Sequence, residues 1–484
     1  MKSSGFVSVP SLLEDASRGG DTNEGGIAFQ ASVALAYIPK WLAMEGFTSI
    51  VREGIFDLEG KFYVPGHSFV MEAIEVKDHQ ISPTEFWQEI DRFKEVDKGS
   101  PGSYQWFTLA SAGLSRELHI LRNGLRRVRD PYGFYHDFFA IFDNSYREYV
   151  ERVKRSNRSE EDAEFLYNRV LLVDDLSVNR NHGKAIFKEA LLQHLPYHQN
   201  LPDRIIENIH AHLDILVRSR RNQELSRKEL ESKLKECLPP NFPMPVQSIH
   251  VFTSTKKAEL DENNRSLYFD WELFFGGEVR QYPEPQIWNQ QLVGELRKAM
   301  NWILIHRNSR RILLNGNRRL SAALATGYVF SAVSGFSIDM NYRNEIWNTD
   351  AHPNNETPPY QLHIDGLYKG VTGEHLVVSI GILRDIVKDV ETDMIKHGLQ
   401  GMPVLHIKGN SPILSPMQTN LIVREIKNSI AEALSCCKSR QVDLFIAGPA
   451  YLALFLGHRL NATTLIQCYE QAGGGGYVPT CHLS

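Results

Sequence analysis

Cysteine is scarce in this chain: five in 484 residues, none at the paired spacing of a zinc-ligand set, and two of them adjacent at Cys436 and Cys437. That excludes a disulfide-framed secreted fold and a structural zinc module, and makes a reducing cytoplasm the expected location. Long apolar runs are missing too. The most apolar stretch, 321–338, is interrupted by Thr326, Gly327, Ser334 and Gly335. It falls short of the roughly 20 clean residues a membrane span needs, so no membrane partner is expected. The N-terminal stretch carries Glu14 and Asp15 where the apolar core of an export signal would sit, so export is not expected either. Neither sign of charge dominates, since Lys plus Arg number 53 against 58 Asp plus Glu, a net charge of −5. Any nucleic acid must therefore be met by a local basic patch.

What is present is a globular composition, 42% hydrophobic and 23% charged, over a length that suits about three domains at roughly 150 residues each. Near the start, Phe29, Val33, Leu35, Ile38, Trp41 and Leu42 recur at helical spacing. Residues 51–62 and 68–77 read as an antiparallel hairpin about Pro65-Gly66. Ser82-Pro83-Thr84-Glu85 has the chemistry of a helix start, and 104–110 returns as a strand. A small mixed sheet flanked by helices follows. Residues 140–240 are mostly helical and strongly charged, with the basic run Arg152-Val153-Lys154-Arg155 and a capping-box pattern from Ser226 to Glu229. The Pro-rich run 239–245 is the best boundary in the chain. After it, apolar strands at 267–275, 311–315, 336–342, 375–380, 404–408, 443–447 and 464–468 alternate with helices at 286–306, 318–332, 382–397, 416–437 and 450–460, as in a parallel sheet covered on both faces. The pattern restarts beyond the polar stretch 350–360, so two α/β halves stand in tandem.

Asp57 lies on the first strand of the hairpin and Glu75-Val76-Lys77 on the second. Alternation puts Glu75 and Lys77 on one face and Val76 on the other. Two carboxylates and an ammonium at one sheet edge can hold Mg²⁺ through oxygen ligands, while the Lys orients or helps deprotonate an attacking water and stabilises a phosphorane. That is the chemistry of phosphodiester hydrolysis. Glu-x-Lys also begins at Glu59, Glu231 and Glu425, yet only Glu75 has an acid on a preceding strand. The other reading of these residues is a surface strand with an alternating salt-bridge face.

Gly25-Gly26-Ile27-Ala28-Phe29-Gln30, then Asp57, then Glu75-Val76-Lys77 resembles the PD-(D/E)XK restriction-endonuclease-like nucleases. The variety it resembles is one in which a Gly-x-x-Phe-(Glu/Gln) helix precedes the acidic strand. The resemblance implies Asp57, Glu75 and the Val76 carbonyl as ligands of Mg²⁺ or another divalent cation, and Lys77 as the catalytic ammonium. Gln30 falls where relatives carry a helix Glu, as a ligand or water-positioner. The pattern departs in having Phe56 rather than Pro before Asp57. Arg122, Arg126 and Arg129 share one helical face and can track DNA phosphates, or else form a solvated face balanced by Glu117 and Asp130.

Ligands of open α/β sheets bind beyond the carboxyl ends of the strands. Small residues and cations recur there: Asn315 and Gly316 with Arg318 and Arg319, Ser379 with Gly381, Lys408 with Gly409, and Gly448-Pro449-Ala450. No Walker motif and no Gly-x-Gly-x-x-Gly occurs at these turns, which disfavours an ordinary triphosphate or dinucleotide. Tight α/β turns need glycines in any case. Residues 444–450, with Ala453, Leu456-Gly457, Tyr469-Glu470 and Tyr477-Val478-Pro479, resemble the SAVED domain, as do Leu313-Leu314-Asn315-Gly316 and 321–325. SAVED domains are similar to two fused CRISPR-associated Rossmann-fold units that bind cyclic oligonucleotides.

The resemblances imply an α/β chain in three parts. These are a restriction-endonuclease-like core over 1–155, a mostly helical bridge over 156–240 that could belong to it, and a SAVED domain over 241–484. They imply an effector of bacterial cyclic-oligonucleotide-based anti-phage signalling (CBASS), in which a cyclic di- or trinucleotide drives homo-oligomerisation and cleavage of double-stranded DNA. The alternatives are a catalytically inert nucleotide-binding regulator and a constitutive restriction-type endonuclease, the latter disfavoured by the lack of a helix-turn-helix or zinc motif.

Overall fold

The structure, a computed structural model of the chain, describes residues 24–130, 139–174, 176, 180–243, 247–256, 265–277, 281–343, 345–460, 464–473 and 475–484. The export reading at the N-terminus and part of the Pro-rich boundary lie outside the described residues. The chain divides into two compact units, Met1–Pro245 and Val246–Ser484. Among the described residues no helix is long and apolar enough to cross a membrane, and all five cysteines are free.

The first unit runs α1 (Glu24–Leu42), β1 (Phe47–Arg52), β2 (Leu58–Val64), β3 (Ser68–Ile81), α2 (Pro83–Gly99), β4 (Tyr104–Leu114), α3 (Arg116–Arg129), α4 (Phe139–Arg155), α5 (Glu160–Arg169), β5 (Val170–Val173), α6 (Arg180–His194), α7 (Asp203–Ser219), β6 (Glu224–Ser226) and α8 (Arg227–Glu236). The strands form one mixed sheet in the order β5-β4-β3-β2-β1-β6. Its long strand β3 pairs antiparallel with β2 on one side and parallel with β4 on the other. Two cores cover the two faces. Phe29, Val33, Ile38 and Trp41 of α1 pack with Ile209, Leu213 and Leu230 of α7 and α8 on one face, while Phe86, Ile90 and Phe93 of α2 pack with Leu121, Val153 and Leu166 on the other. The helices of 156–240 thus complete the first core, and β6 extends its sheet at Ile50.

Local chemistry sets the element ends. Ser82 Oγ accepts the Glu85 N–H at the start of α2, with Pro83 in the first turn. The expected capping box forms at Ser226 and Glu229. One expected strand is broken: 51–62 is not continuous, because residues 53–57 leave the ladder in a bend between β1 and β2. Glu53 takes a positive φ of 58° there, and its N–H donates to the Asp57 carbonyl at 2.8 Å. The bend releases Asp57 from strand pairing just ahead of β2.

The second unit contains two sheets. Its elements are β7 (Ile249–Ser254), β8 (Leu267–Asp270), α9 (Pro285–Trp288), α10 (Gly294–His306), β9 (Arg311–Gly316), α11 (Leu320–Val329), β10 (Ser337–Tyr342), β11 (Glu345–Asn348), β12 (Leu362–Asp365), β13 (His375–Ile382), α12 (Val387–Lys396), β14 (Val404–Gly409), α13 (Pro416–Cys437), β15 (Gln441–Ala447), α14 (Ala450–Leu460), β16 (Leu465–Gln471) and β17 (Tyr477–Leu483). The first sheet is ordered β11-β10-β9-β7-β8 and the second β12-β14-β13-β15-β16-β17. Strands β7 to β10 are parallel, as are β13 to β16, and antiparallel strands close edges at β11, β12 and β17. The expected strand 267–275 is shorter, ending at Asp270, and the expected helix 286–306 carries a π turn at Asn289–Val293. Helices α11 and α14 cross backbone to backbone. A Cβ on Gly327 would collide with the Leu454 carbonyl and one on Gly457 with the Leu324 carbonyl, so glycine permits the approach that joins the two sheets.

Candidate active site and strand-end loops

Asp57, Glu75 and Lys77 are brought together in the first unit, and the backbone shows how. Freed by the 53–57 bend, Asp57 turns its carboxylate to the neighbouring strand, where Oδ2 accepts the Val76 N–H at 2.8 Å. Its Oδ1 accepts Gln30 Nε2 from α1 at 2.7 Å. The expected alternation holds, with Val76 buried in the α1 core. Lys77 Nζ lies 3.1 Å from Glu75 Oε1.

Two partners come from α2. Glu89 Oε1 is 2.8 Å from Lys77 Nζ, and Arg92 Nη1 is 3.0 Å from Glu75 Oε2 and 3.4 Å from Glu89 Oε2. Arg92 also donates to the Ile55 carbonyl at 2.6 Å, and its guanidinium lies 4.8 Å from the Phe56 ring centroid. Sequence reasoning missed Glu89 and Arg92. Their signal is an acid and a base three apart on the helix directly after the Glu75 strand, which places both on one side of it.

Charge counting explains the titration behaviour. Glu75 and Glu89 balance Lys77 and Arg92, leaving the Asp57 charge in excess. Burial, then repulsion from Glu75, pushes the Asp57 carboxyl up to about 8. Burial would lower the Lys77 ammonium, but the charges of Glu75 and Glu89 outweigh it and hold it above its usual range. Held between two carboxylates, Lys77 stands here as a cation, the form that can stabilise charge on a phosphorane.

The residues suit a divalent cation. Asp57, once ionised, adds a charge that Lys77 and Arg92 do not balance beside a second carboxylate, and Gln30 Oε1 next to it is a buried acceptor without a hydrogen-bond partner. Among the described residues no three acidic, His or Cys side chains converge. Asp57 and Glu75 would therefore share the ion with the Val76 carbonyl, Gln30 or water, as Mg²⁺ sites with few carboxylates do.

The three arginines expected to meet DNA are placed differently from one another. Arg122 is 2.6 Å from Asp174. Arg129 donates to the carbonyls of Tyr167 at 2.7 Å, Val170 at 2.6 Å and Leu166, tying α3 to the end of α5. Of the three, Arg126 is exposed and the other two are half-buried.

In the second unit, Ser379, Gly381, Lys408, Gly409, Gly448, Pro449 and Ala450 converge at the carboxyl ends of adjacent strands. Gly381 pairs with Lys408 on one side and with Ala447, just before Gly448, on the other. Several are occupied internally. Ser379 is buried, its Oγ 2.7 Å from His406 Nδ1, and Lys408 Nζ lies 3.1 Å from Asp385. A Cβ on Gly381 would strike the Arg384 carbonyl and one on Gly409 the Tyr360 hydroxyl, whereas at Gly448 the nearest atom is Ile382 Cβ at 3.4 Å. Gly448 is the strand-end glycine with room above it.

Asn315, Gly316, Arg318 and Arg319 end β9 in the other sheet. Arg318 donates to Thr253 Oγ1 and to the carbonyls of Asn315 and Gly316 at 3.0–3.1 Å, and burial lowers it to about 10. It braces the loop from within. Arg319 donates to the Gln281 carbonyl at 2.9 Å and lies 4.2 Å from the Phe275 and 4.8 Å from the Tyr282 ring centroid. The N-terminus of α11 is occupied by the chain itself, since Glu470 Oε2 accepts the Ser321 N–H at 3.3 Å. The two loop groups meet at Gln471: Tyr282 Oη donates to its carbonyl at 3.1 Å and Arg384 Nη1 to its Oε1 at 2.6 Å. Arg384, and Leu383 beside it at φ 62° and 61% exposed, stand at these loops and were not singled out by the sequence reading.

The model of the SMODS-associated and fused to various effectors sensor domain, SAVED, matches residues 296–483. The chain therefore carries a SAVED domain in its second unit. Its curated relatives include CD-NTase-associated protein 4 of Acinetobacter sp. (strain ATCC 27244 / 9458), 26% identical over 476 residues that cover 98% of this chain and 99% of the relative. The same protein of Moraxella osloensis is 26% identical over 481 residues, with 98% and 99% covered. Among solved structures, the Acinetobacter baumannii Cap4 SAVED/CARF-domain containing receptor with the cyclic trinucleotide 3′3′3′-cAAA superposes with a TM-score of 0.82 at 24% identity, over 95% of this chain and 99% of that one. The Moraxella osloensis Cap4 receptor gives 0.79 at 24% identity, over 95% and 100%. The α/β architecture is therefore shared along nearly the whole chain, the first unit included.

Proposed function

We propose that this protein is a metal-dependent endonuclease that cuts double-stranded DNA once its SAVED domain binds a cyclic oligonucleotide, as a cytoplasmic effector of anti-phage defence. The observation that carries the reading is the Asp57, Glu75 and Lys77 cluster, with two carboxyl groups and an ammonium brought together at adjacent strands. A divalent ion bound there supplies a Lewis acid and an activated water. Asp57 and Glu75 hold it, Gln30 fixes the Asp57 carboxylate, and Lys77 stabilises the negative charge that builds on the scissile phosphate. Glu89 and Arg92 keep Lys77 and Glu75 in position. Arg126 offers an exposed cation to the DNA backbone.

In the SAVED domain the ligand reading rests on the strand-end loops around Gly448-Pro449-Ala450, with Gly381, Lys408 and Gly409 beside them. The Asn315 to Arg319 loop stands adjacent across Gln471. A cyclic trinucleotide is the favoured class, since the Acinetobacter baumannii Cap4 receptor of the same fold has been captured with two of them. One hydrolytic centre per chain cuts one strand, so duplex cleavage calls for a homo-oligomer. The reading is tested by Lys77→Ala and Glu75→Ala. Each should abolish plasmid cleavage and leave the affinity for 3′3′3′-cAAA or 2′3′3′-cAAA unchanged, and EDTA should stop the wild type. Retained cleavage in either variant removes the cluster as the active site.

A further inference from the structure

The basic run Arg152-Val153-Lys154-Arg155 has no part in the cluster chemistry, yet the fold gives it a definite place. A cavity of about 810 Å³ opens in the first unit between the start of α2, the start of α3 and the end of α4, with Thr84, Trp87, Ile120, Arg152, Arg155 and Arg158 in its lining. Val153 is fully buried, which turns Arg152 and Arg155 outward on α4, and both are exposed. Arg158 is fixed by Asp91 at 2.7 and 3.0 Å, and its guanidinium covers the Trp87 ring at 4.6 Å. The lining holds one carboxylate, Glu117, and Glu148 reaches Arg152 only at 4.0 Å. Two guanidiniums are left to face an anion.

Helix α2 joins this groove to the cluster. Thr84 and Trp87 line the groove, while Glu89 and Arg92 of the same helix reach Lys77 and Glu75. From Thr84 to Arg92 is about 12 Å along a helix axis, the rise of roughly three to four base pairs. Arg152 and Arg155, three apart on a helix face, stand about 5–6 Å from each other at Cβ, a spacing that suits neighbouring phosphates of one strand. With its indole face covered by Arg158, the groove offers no platform for stacking an unpaired base. We propose that this groove carries the backbone of the duplex flanking the scissile phosphate, with Arg152 and Arg155 binding its phosphates irrespective of sequence. This rests on the nuclease reading and adds a second contact surface to it.

The test uses full-length Lys77→Ala protein, which holds DNA without cutting it, with Mg²⁺, 3′3′3′-cAAA and two labelled duplexes of unrelated sequence. Fluorescence anisotropy is followed across a salt series. Adding Arg152→Ala and Arg155→Ala should weaken binding of both duplexes equally. The slope of log affinity against log salt should fall by about 2, and by about 1 for Arg155→Ala alone. Arg155→Lys should keep the slope, and the single variant serves if the double variant melts early. Parent affinity and slope in a folded Arg155→Ala variant overturn the groove while leaving the nuclease reading intact, and the groove would then suit an acidic protein segment. If the parent binds neither duplex, both readings fall.

Discussion

Lys77 Nζ sits closer to Glu89 Oε1 on α2, at 2.8 Å, than to Glu75 Oε1 of its own strand, at 3.1 Å. The ammonium is thus held between two elements, and the helix carboxylate is the nearer anchor. Glu89→Gln keeps the shape and removes that charge. Cleavage should fall roughly tenfold, about 1.4 kcal/mol of lost positioning, with ligand affinity unchanged. Wild-type turnover in single-turnover assays would mean that Glu89 does not position Lys77.

The excess charge at Asp57 predicts how metal and proton compete. With the Asp57 carboxyl pushed up to about 8 by burial and by Glu75, a divalent cation binding below that pH must displace a proton. The Mg²⁺ concentration for half-maximal cleavage should therefore fall as pH rises from 6 toward 8, by up to about tenfold per unit. At saturating Mg²⁺ the dependence should flatten. A pH-independent requirement for Mg²⁺ across that window would contradict this electrostatic picture.

A second titration concerns stability alone. Glu295 on α10 is half-buried and accepts Trp271 Nε1 at 3.0 Å, and desolvation raises its carboxyl from 4.5 to about 7. A folded value above the unfolded one means that Glu295 supports the fold fully below pH 4.5. That support is lost as pH climbs through about 7. Glu295→Gln, which can still accept the indole N–H, should raise Tm more at pH 8 than at pH 5. Equal shifts at both pH values would argue that the Glu295 carboxyl titrates in the folded protein as it does in the unfolded chain, with no upward shift.

The glycines of the strand-end loops should separate by experiment. Gly316 has φ 82°, and a Cβ there would strike the Thr253 carbonyl, so Gly316→Ala should destabilise the SAVED domain whatever the ligand does. Gly448 has no such barrier at Cβ. Gly448→Leu should leave Tm within a few degrees and weaken binding of 3′3′3′-cAAA at least tenfold, read by calorimetry. Full affinity in the folded variant would move the ligand away from this loop. Arg318→Glu would put a carboxylate among carbonyl oxygens, so loss of fold is expected, not a clean loss of binding.

Much of this was legible in the residues, and the gaps have physical causes. Apolar strands such as β13 and β15 and the long helix α13 stand close to their expected limits, because burial on both faces writes a continuous apolar run. The bend at 53–57 was not legible: Ile55 and Phe56 are strand-favouring side chains, and only tertiary pairing pulls Asp57 out of the ladder toward Val76. Short edge strands such as β12, with half-exposed Leu362 and Ile364, carry too weak a pattern to register. At the site, Asp57, Glu75 and Lys77 were readable from motif and alternation. Glu89 and Arg92 were not, since a charged pair on a helix reads as a solvated face until the strand it lies against is known. Arg122 and Arg129 show the converse, as a basic stripe at helical spacing turns out to be largely tied into the protein.

The most direct test of the central claim is cleavage of a supercoiled plasmid by purified wild-type protein in Mg²⁺, with and without a cyclic trinucleotide such as 3′3′3′-cAAA or 2′3′3′-cAAA, followed by gel electrophoresis over time. The account predicts linear and then fragmented DNA only when both Mg²⁺ and an activating cyclic oligonucleotide are present, and none from Lys77→Ala. Equal cleavage with and without every cyclic nucleotide tried, or intact plasmid under all conditions despite measured ligand binding, would contradict it.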